Sequence, residues 1–157
     1  MKTNYLLPHK YKKLGWILFS LGIVSGLYFF LIDFKTEPLT MKVLSIFPNL
    51  HAGPTKFKYF EIIENGIAFE LIMLAIIVGG LIIGFSKEKT EDEFISKLRN
   101  ESLVWAIVFN YFILIIGILF VYDFSFLDVL LFNMFTPLLF FIIRFNFLKH
   151  KSGSDEE

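Results

Sequence analysis

Apolar side chains fall into four long runs separated by polar segments. Gly15 to Ile32 and Leu103 to Tyr122 contain no charged residue, whereas Ile67 to Phe85 contains Glu70 and Phe124 to Ile143 contains Asp128. A helix needs about 20 mostly apolar residues to cross a hydrocarbon layer of roughly 30 Å. The pattern predicts an all-α polytopic membrane protein, four transmembrane helices in a compact bundle, with spans at about 15–32, 61–85, 103–122 and 125–144. Residues 1–151 read as one transmembrane domain. Residues 152–157, made of Gly, Ser and acids, read as a disordered tail.

The connections carry their own signals. Asp33 to Lys58 is the longest, segmented by Pro38, Pro48 and Pro54, with a turn at Gly53-Pro54. Within it Met41, Val43, Leu44, Ile46 and Phe47 suit a short element lying on the outer leaflet. Thr55 is a candidate cap for a helix running through Tyr59 and Phe60 into the second span, which places Glu61 and Glu64 at the membrane boundary. In the connection from Ser86 to Ser102, Thr90 and Glu93 have capping-box spacing, Glu91 and Asp92 favour the first turn, and Glu93 pairs with Lys97 one turn on. One long helix is therefore expected from about Glu91 to Tyr122, amphipathic at first and resting on the inner leaflet through Phe94, Ile95 and Leu98: a cytoplasmic extension of the third span. Ser125 and Asp128 form a second candidate capping box after a hairpin at Asp123.

Composition narrows the chemistry. The chain is 55% hydrophobic with 21 Phe, too apolar for a soluble domain of 157 residues to hide. Net charge is zero, so no whole-chain field recruits nucleic acid, and none is expected as a partner. The absence of Cys removes disulfides, thiolate metal sites and Cys nucleophiles. His9, His51 and His150 are scattered without partners at ligand spacing, and no phosphate loop or nucleophile elbow is present, so no metal, cofactor or enzymatic activity is expected. Lys and Arg mark the cytoplasmic side. With the amino terminus inside, the inner segments hold eleven of them and the outer segments four: Lys35, Lys42, Lys56 and Lys58. Both termini are therefore expected in the cytoplasm, the first span being a retained anchor in the cytoplasmic membrane.

Each span gathers its small and polar residues on one side: Gly15, Gly22 and Gly26; Gly66, Glu70, Gly80 and Gly84; Ala106, Asn110 and Gly117; Asn133, Thr136 and Pro137, with Arg144 continuing the line. Two pairs have GxxxG spacing. Such stripes let helices approach in lipid, where apolarity alone gives no reason to associate. They suit a monomeric bundle or a homo-oligomer equally.

Glu70 is the most informative position, three residues inside the outer end of its apolar run, where a carboxyl marks an ion path or merely reaches water. With Asn110, Asp128, Asn133 and Thr136 it makes a candidate intramembrane polar site. Interhelical hydrogen bonding is the plainer reading of the Asn residues, and capping that of Asp128. Pro137 should kink the fourth helix. Phe94, Leu98 and Arg99 are candidates to face a protein partner from the cytoplasmic helix.

Two stretches, EDEFISKLRNESLVWA (Glu91 to Ala106) and NMFTPLLFFIIRF (Asn133 to Phe145), resemble a family of small bacterial membrane proteins of about this length without established activity. The likeness spans about Ser86 to Lys149 and implies a four-helix fold in a bacterial inner membrane. Small multidrug transporters share the outline, but their membrane Glu lies in the first helix, which has no acid here. The residues favour a non-enzymatic membrane module, a sensor, regulator or subunit in the bilayer with a membrane or cytoplasmic protein partner. The alternative is a proton- or cation-coupled transporter using Glu70.

Overall fold

The computed structural model describes residues 6–31, 39–46 and 60–154. The elements are α1 (Tyr11–Leu31), β1 (Thr40–Ser45), β2 (Glu61–Gly66), α2 (Ala68–Gly84), α3 (Glu93–Phe120), α4 (Ser125–Asn133) and α5 (Thr136–Ser154). The chain divides into two units, residues 22–74 and the remainder, with α1 and α2 each contributing to both.

In the smaller unit β1 and β2 pair antiparallel, with Thr40 opposite Gly66 and Ser45 opposite Glu61. This sheet corrects the all-α expectation, and the second span does not begin at residue 61. The segment EIIENG has no helical stripe, and its Ile62 and Ile63 are β-branched residues that fit a pleated surface. Lys42 lies opposite Glu64, and their ends approach to 4.0 Å with both side chains exposed. The short outer element expected around Met41 to Ile46 is thus a strand, and Leu39 accepts a hydrogen bond from the Ile67 amide just before α2 starts. Thr55, His51, Phe47 and the turn at Gly53-Pro54 lie outside the described residues.

The larger unit is helical. The segment before α1 and the segment leaving α2 run parallel and are joined by two backbone hydrogen bonds of 2.8 Å, Leu7 to Phe85 and Lys87 to Leu7. Above them the two helices touch through glycine. A Cβ added at Gly79 would lie 2.6 Å from the Phe19 backbone nitrogen, so only glycine allows this approach. Gly80 faces Leu138 of α5, Gly84 faces Phe141, and Phe141 and Phe145 are both 1% exposed. One face of α3, marked by Ile95, Leu98, Ser102 and Ala106, is buried at the helical period. Phe109 of α3 stacks on Phe140 of α5 with ring centres 4.3 Å apart.

Helices α1 and α3 are long and apolar enough to cross a membrane, and α4 with α5 would make a third span if counted as one. Apolar α2 has 17 residues. The fourth expected span is in fact broken, α4 and α5 meeting at 41°. Pro137 explains this. It lacks an amide hydrogen, and its ring would collide with the carbonyl four residues back, that of Asn133, where α4 ends. The hydroxyl of Thr136 donates to the carbonyl of Phe132 at 3.1 Å, which also accepts the Phe135 amide at 3.0 Å. Asp123 adopts a left-handed conformation (φ 58°) in the tight turn from α3 to α4, as Asp tolerates.

Both capping boxes are corrected. At α3 the cap is Asp92, whose carboxylate accepts from the Ile95 amide at 2.8 Å. Thr90 stands too early, two residues before that cap. At α4 the cap position is Phe124 in helical geometry, so Ser125 is already inside the helix and no side chain caps it. The carboxy-terminal helix continues through residues 152–154, expected as tail; residues 155–157 lie outside the description.

Candidate functional site

The densest polar cluster lies at one end of the larger unit, where the start of α1, the link from α2 to α3 and the end of α5 converge. Its centre is Glu88. One carboxylate oxygen accepts from Lys12 and the other from Lys149 at 3.1 Å. Lys12 and Glu88 have side chains only 9% and 8% exposed, so the pair is shielded from water. Burial alone would push the Glu88 carboxyl up. The hydrogen bonds and charges of the two lysines outweigh it and hold the group below its ordinary value.

A second ion pair leans on the first. Arg99 is 3% exposed and donates to both oxygens of Glu91, at 2.6 and 3.0 Å, in the bidentate geometry that suits a guanidinium. The Glu88 amide donates to Glu91 at 2.8 Å, which locks the two acids into one link. Burial opposes ionisation of Glu91 as well, and Arg99 with that amide overcomes it, leaving its carboxyl below the ordinary range. Phe145 is covered by both cations, the Arg99 guanidinium carbon 5.2 Å and the Lys12 ammonium 5.9 Å from its ring centre. Arg144 stands 5.2 Å from the Trp105 ring centre. The Nε atoms of Arg99 and Arg144 and the Ser102 hydroxyl are buried without a partner among the described residues.

A cleft of about 510 Å³ opens beside this cluster, walled by His9, Lys12, Glu88, Lys89, Phe94 and Lys149. His9 is fixed by a 2.9 Å bond from Nδ1 to the Lys87 carbonyl. No group of three or more His, Asp or Glu among the described residues could hold a metal ion.

The residues singled out by sequence distribute unevenly. Asn110 and Asn133 do meet: each amide donates to the other's oxygen, at 3.4 and 3.0 Å, joining α3 to the end of α4. Thr136 lies three residues on, and its hydroxyl is spent on Phe132. Glu70 belongs to the smaller unit, on the exposed first turn of α2, where its charge suits the helix amino terminus and Asn65 donates to it at 3.4 Å. Asp128, in the larger unit, is exposed on the first turn of α4. Of the three side chains expected to face a partner, Phe94 is 53% exposed, while Leu98 at 9% and Arg99 at 3% turn inward. Arg99 is drawn in by Glu91, and Leu98 sits on the buried face of α3.

Lys12, Glu88 and Lys149 were not legible as a group. Glu88 lies 76 residues from one lysine and 61 from the other, and no local pattern encodes such pairing. No family model, curated protein or solved structure matches the chain.

Proposed function

We propose that this chain is a non-enzymatic module of a bacterial cytoplasmic membrane that crosses the bilayer four times with both termini inside and acts as a sensor, regulator or subunit through its cytoplasmic face. The observation that carries this is where the polar chemistry lies. Within the apolar helices the two Asn satisfy each other, and Glu70 and Asp128 are exposed on first turns. The organised charge is instead gathered at one end, at the side where basic residues are in excess. A transporter would concentrate ionisable groups within the spans. The apolar run from Ile67 to Phe85, which includes α2, covers about 28 Å by helical rise, close to the roughly 30 Å of a bilayer core.

Because the chain has no Cys, single cysteines test the topology cleanly. Cysteines replacing Lys42 and Asp123 should react with a membrane-impermeant maleimide in intact cells, and one replacing Lys89 should not. Labelling of Lys89→Cys would reverse the orientation. Affinity purification in mild detergent tests the role: a stoichiometric protein companion, lost on Phe94→Ala, is expected. Purified protein that alone transports or converts a substrate would sink the proposal.

A further inference from the structure

We propose that the cleft beside Glu88 binds a phosphate group, that of an anionic phospholipid in the adjacent leaflet. The inference rests on the reading that this end of the larger unit faces the bilayer surface. Three lysines line the cleft, and both of its carboxylates are committed: Glu88 to Lys12 and Lys149, Asp92 to the Ile95 amide. What remains free is cationic. Lys89 is exposed with no partner among the described residues, and Lys149 spends one hydrogen on Glu88 at 3.1 Å. The Thr90 hydroxyl adds a neutral donor in the wall.

Depth and shape favour a lipid over a free anion. Lys12 lies three residues before Gly15, where the apolar run of α1 begins, so about 4–5 Å by helical rise from the hydrocarbon edge, at headgroup level. Phe94, half exposed on the cleft wall, offers an apolar surface to the carbon skeleton of the headgroup. At about 510 Å³ the cleft has room for a headgroup phosphate and its glycerol. Basic pockets among helix ends at a cytoplasmic surface are suited to such headgroups. Glu88 holds Lys12 and Lys149 much as a phosphate oxygen would, and so competes with the ligand for them.

The test uses the full chain in nanodiscs of phosphatidylcholine containing phosphatidylglycerol, followed by release into the gas phase and counting of retained lipids by native mass spectrometry. Wild-type protein should retain one phosphatidylglycerol in preference to phosphatidylcholine. Lys89→Gln, which breaks no hydrogen bond or ion pair among the described residues, should lower that retention about fivefold, the effect of one lysine at a charged surface. Glu88→Gln should raise it by freeing two lysines; if that variant fails to fold, Lys89→Gln decides alone. Equal retention of the two lipids, or Lys89→Gln retaining as much as wild type, overturns the proposal. Thermal stabilisation by inorganic phosphate without selective lipid retention overturns the lipid as the source. Retention is read on purified protein, so its failure is distinct from a failed topology or partner experiment.

Discussion

Replacing Glu91 by Gln removes the negative charge beneath a guanidinium that is 3% exposed while keeping the shape of the side chain. Glu91 supplies two charge-assisted bonds to Arg99, at 2.6 and 3.0 Å. Nothing else described takes over that role. The Ser86 carbonyl stands at 3.4 Å, the Nε atom is already unpartnered, and Glu88 is held by two lysines. Breaking one side of a buried pair costs about 3–5 kcal/mol, because the surviving charge is left uncompensated. The Glu91 side chain is 18% exposed, so water reaches the rim and the lower end applies, about 3 kcal/mol. For a chain of this size that corresponds to a Tm lower by about 6–12 °C. Thermal unfolding in mild detergent, followed through Trp16 and Trp105, reads it. Adding Arg99→Met should recover most of the loss, because an apolar side chain needs no counter-charge. A fall below about 2 °C, or losses that simply add in the double variant, would refute the reasoning.

Three further outcomes follow from the geometry. Asn110→Leu should lower stability by about 0.6–1.7 kcal/mol, and Asn133→Leu should cost little more on top of it, since each amide serves chiefly the other; equal and additive Tm shifts would contradict the pairing. Gly79→Ala should cost about 1–3 kcal/mol, more than Gly80→Ala, because the first methyl meets the backbone of Phe19 and the second meets the movable end of Leu138; the order of the two Tm values checks this. Glu88 and Glu91 have folded-state pKa values below their ordinary 4.5, so their contribution is complete above that value and is lost as pH falls through the depressed folded values. Tm should therefore drop below about pH 4.5, and a Tm unchanged between about pH 6 and 3 would count against both ion pairs.

What could be read from sequence was local or periodic. Helix α3 ends within two residues of both expected limits, because its apolar run and acidic first turn are unbroken signals. Pro137 marked the break between α4 and α5 because its effect on the preceding carbonyl is chemical, not contextual. The stripe carrying Asn110 and Asn133 brought those residues together because a polar group on an apolar helix must find a partner. Cap identity was harder. Thr90, Asp92, Ser125 and Asp128 are all acceptable near a helix start, and composition does not say at which residue the helical backbone begins, Glu93 in α3 and Ser125 in α4. The strand pair was hidden for a related reason: the helical reading of residues 61–66 rested on a candidate cap at Thr55 running into the apolar segment that follows, whereas strand pairing depends on a partner about 20 residues earlier. Arg99 was read as partner-facing from its place on a charged, well-capped cytoplasmic helix; its two bonds to Glu91 turn it inward.

The Lys12–Glu88–Lys149 cluster is expected to act more through register than through net stability. Buried ion pairs contribute little on balance, since desolvation offsets most of the attraction, but a misplaced element leaves one charge unpaired. Apolar helices in lipid have the opposite property: sliding by a turn exchanges one set of aliphatic contacts for another at small cost. In the larger unit, α1 and α2 meet through Gly15 and Gly79, which permit closeness, while the Leu7–Phe85 and Lys87–Leu7 bonds and the glutamate between two lysines fix where it occurs. Glu88→Gln should then loosen alignment more than it lowers Tm. Ile82→Cys, paired in turn with cysteines at residues 14 to 18, measures alignment through disulfide yield. In the wild-type background the yield should peak beside Gly15, which Ile82 touches, and in Glu88→Gln it should spread over neighbouring positions. A peak as sharp in both backgrounds would mean that the glycine contact and backbone bonds set the register unaided, and that the buried charges answer to the cleft alone.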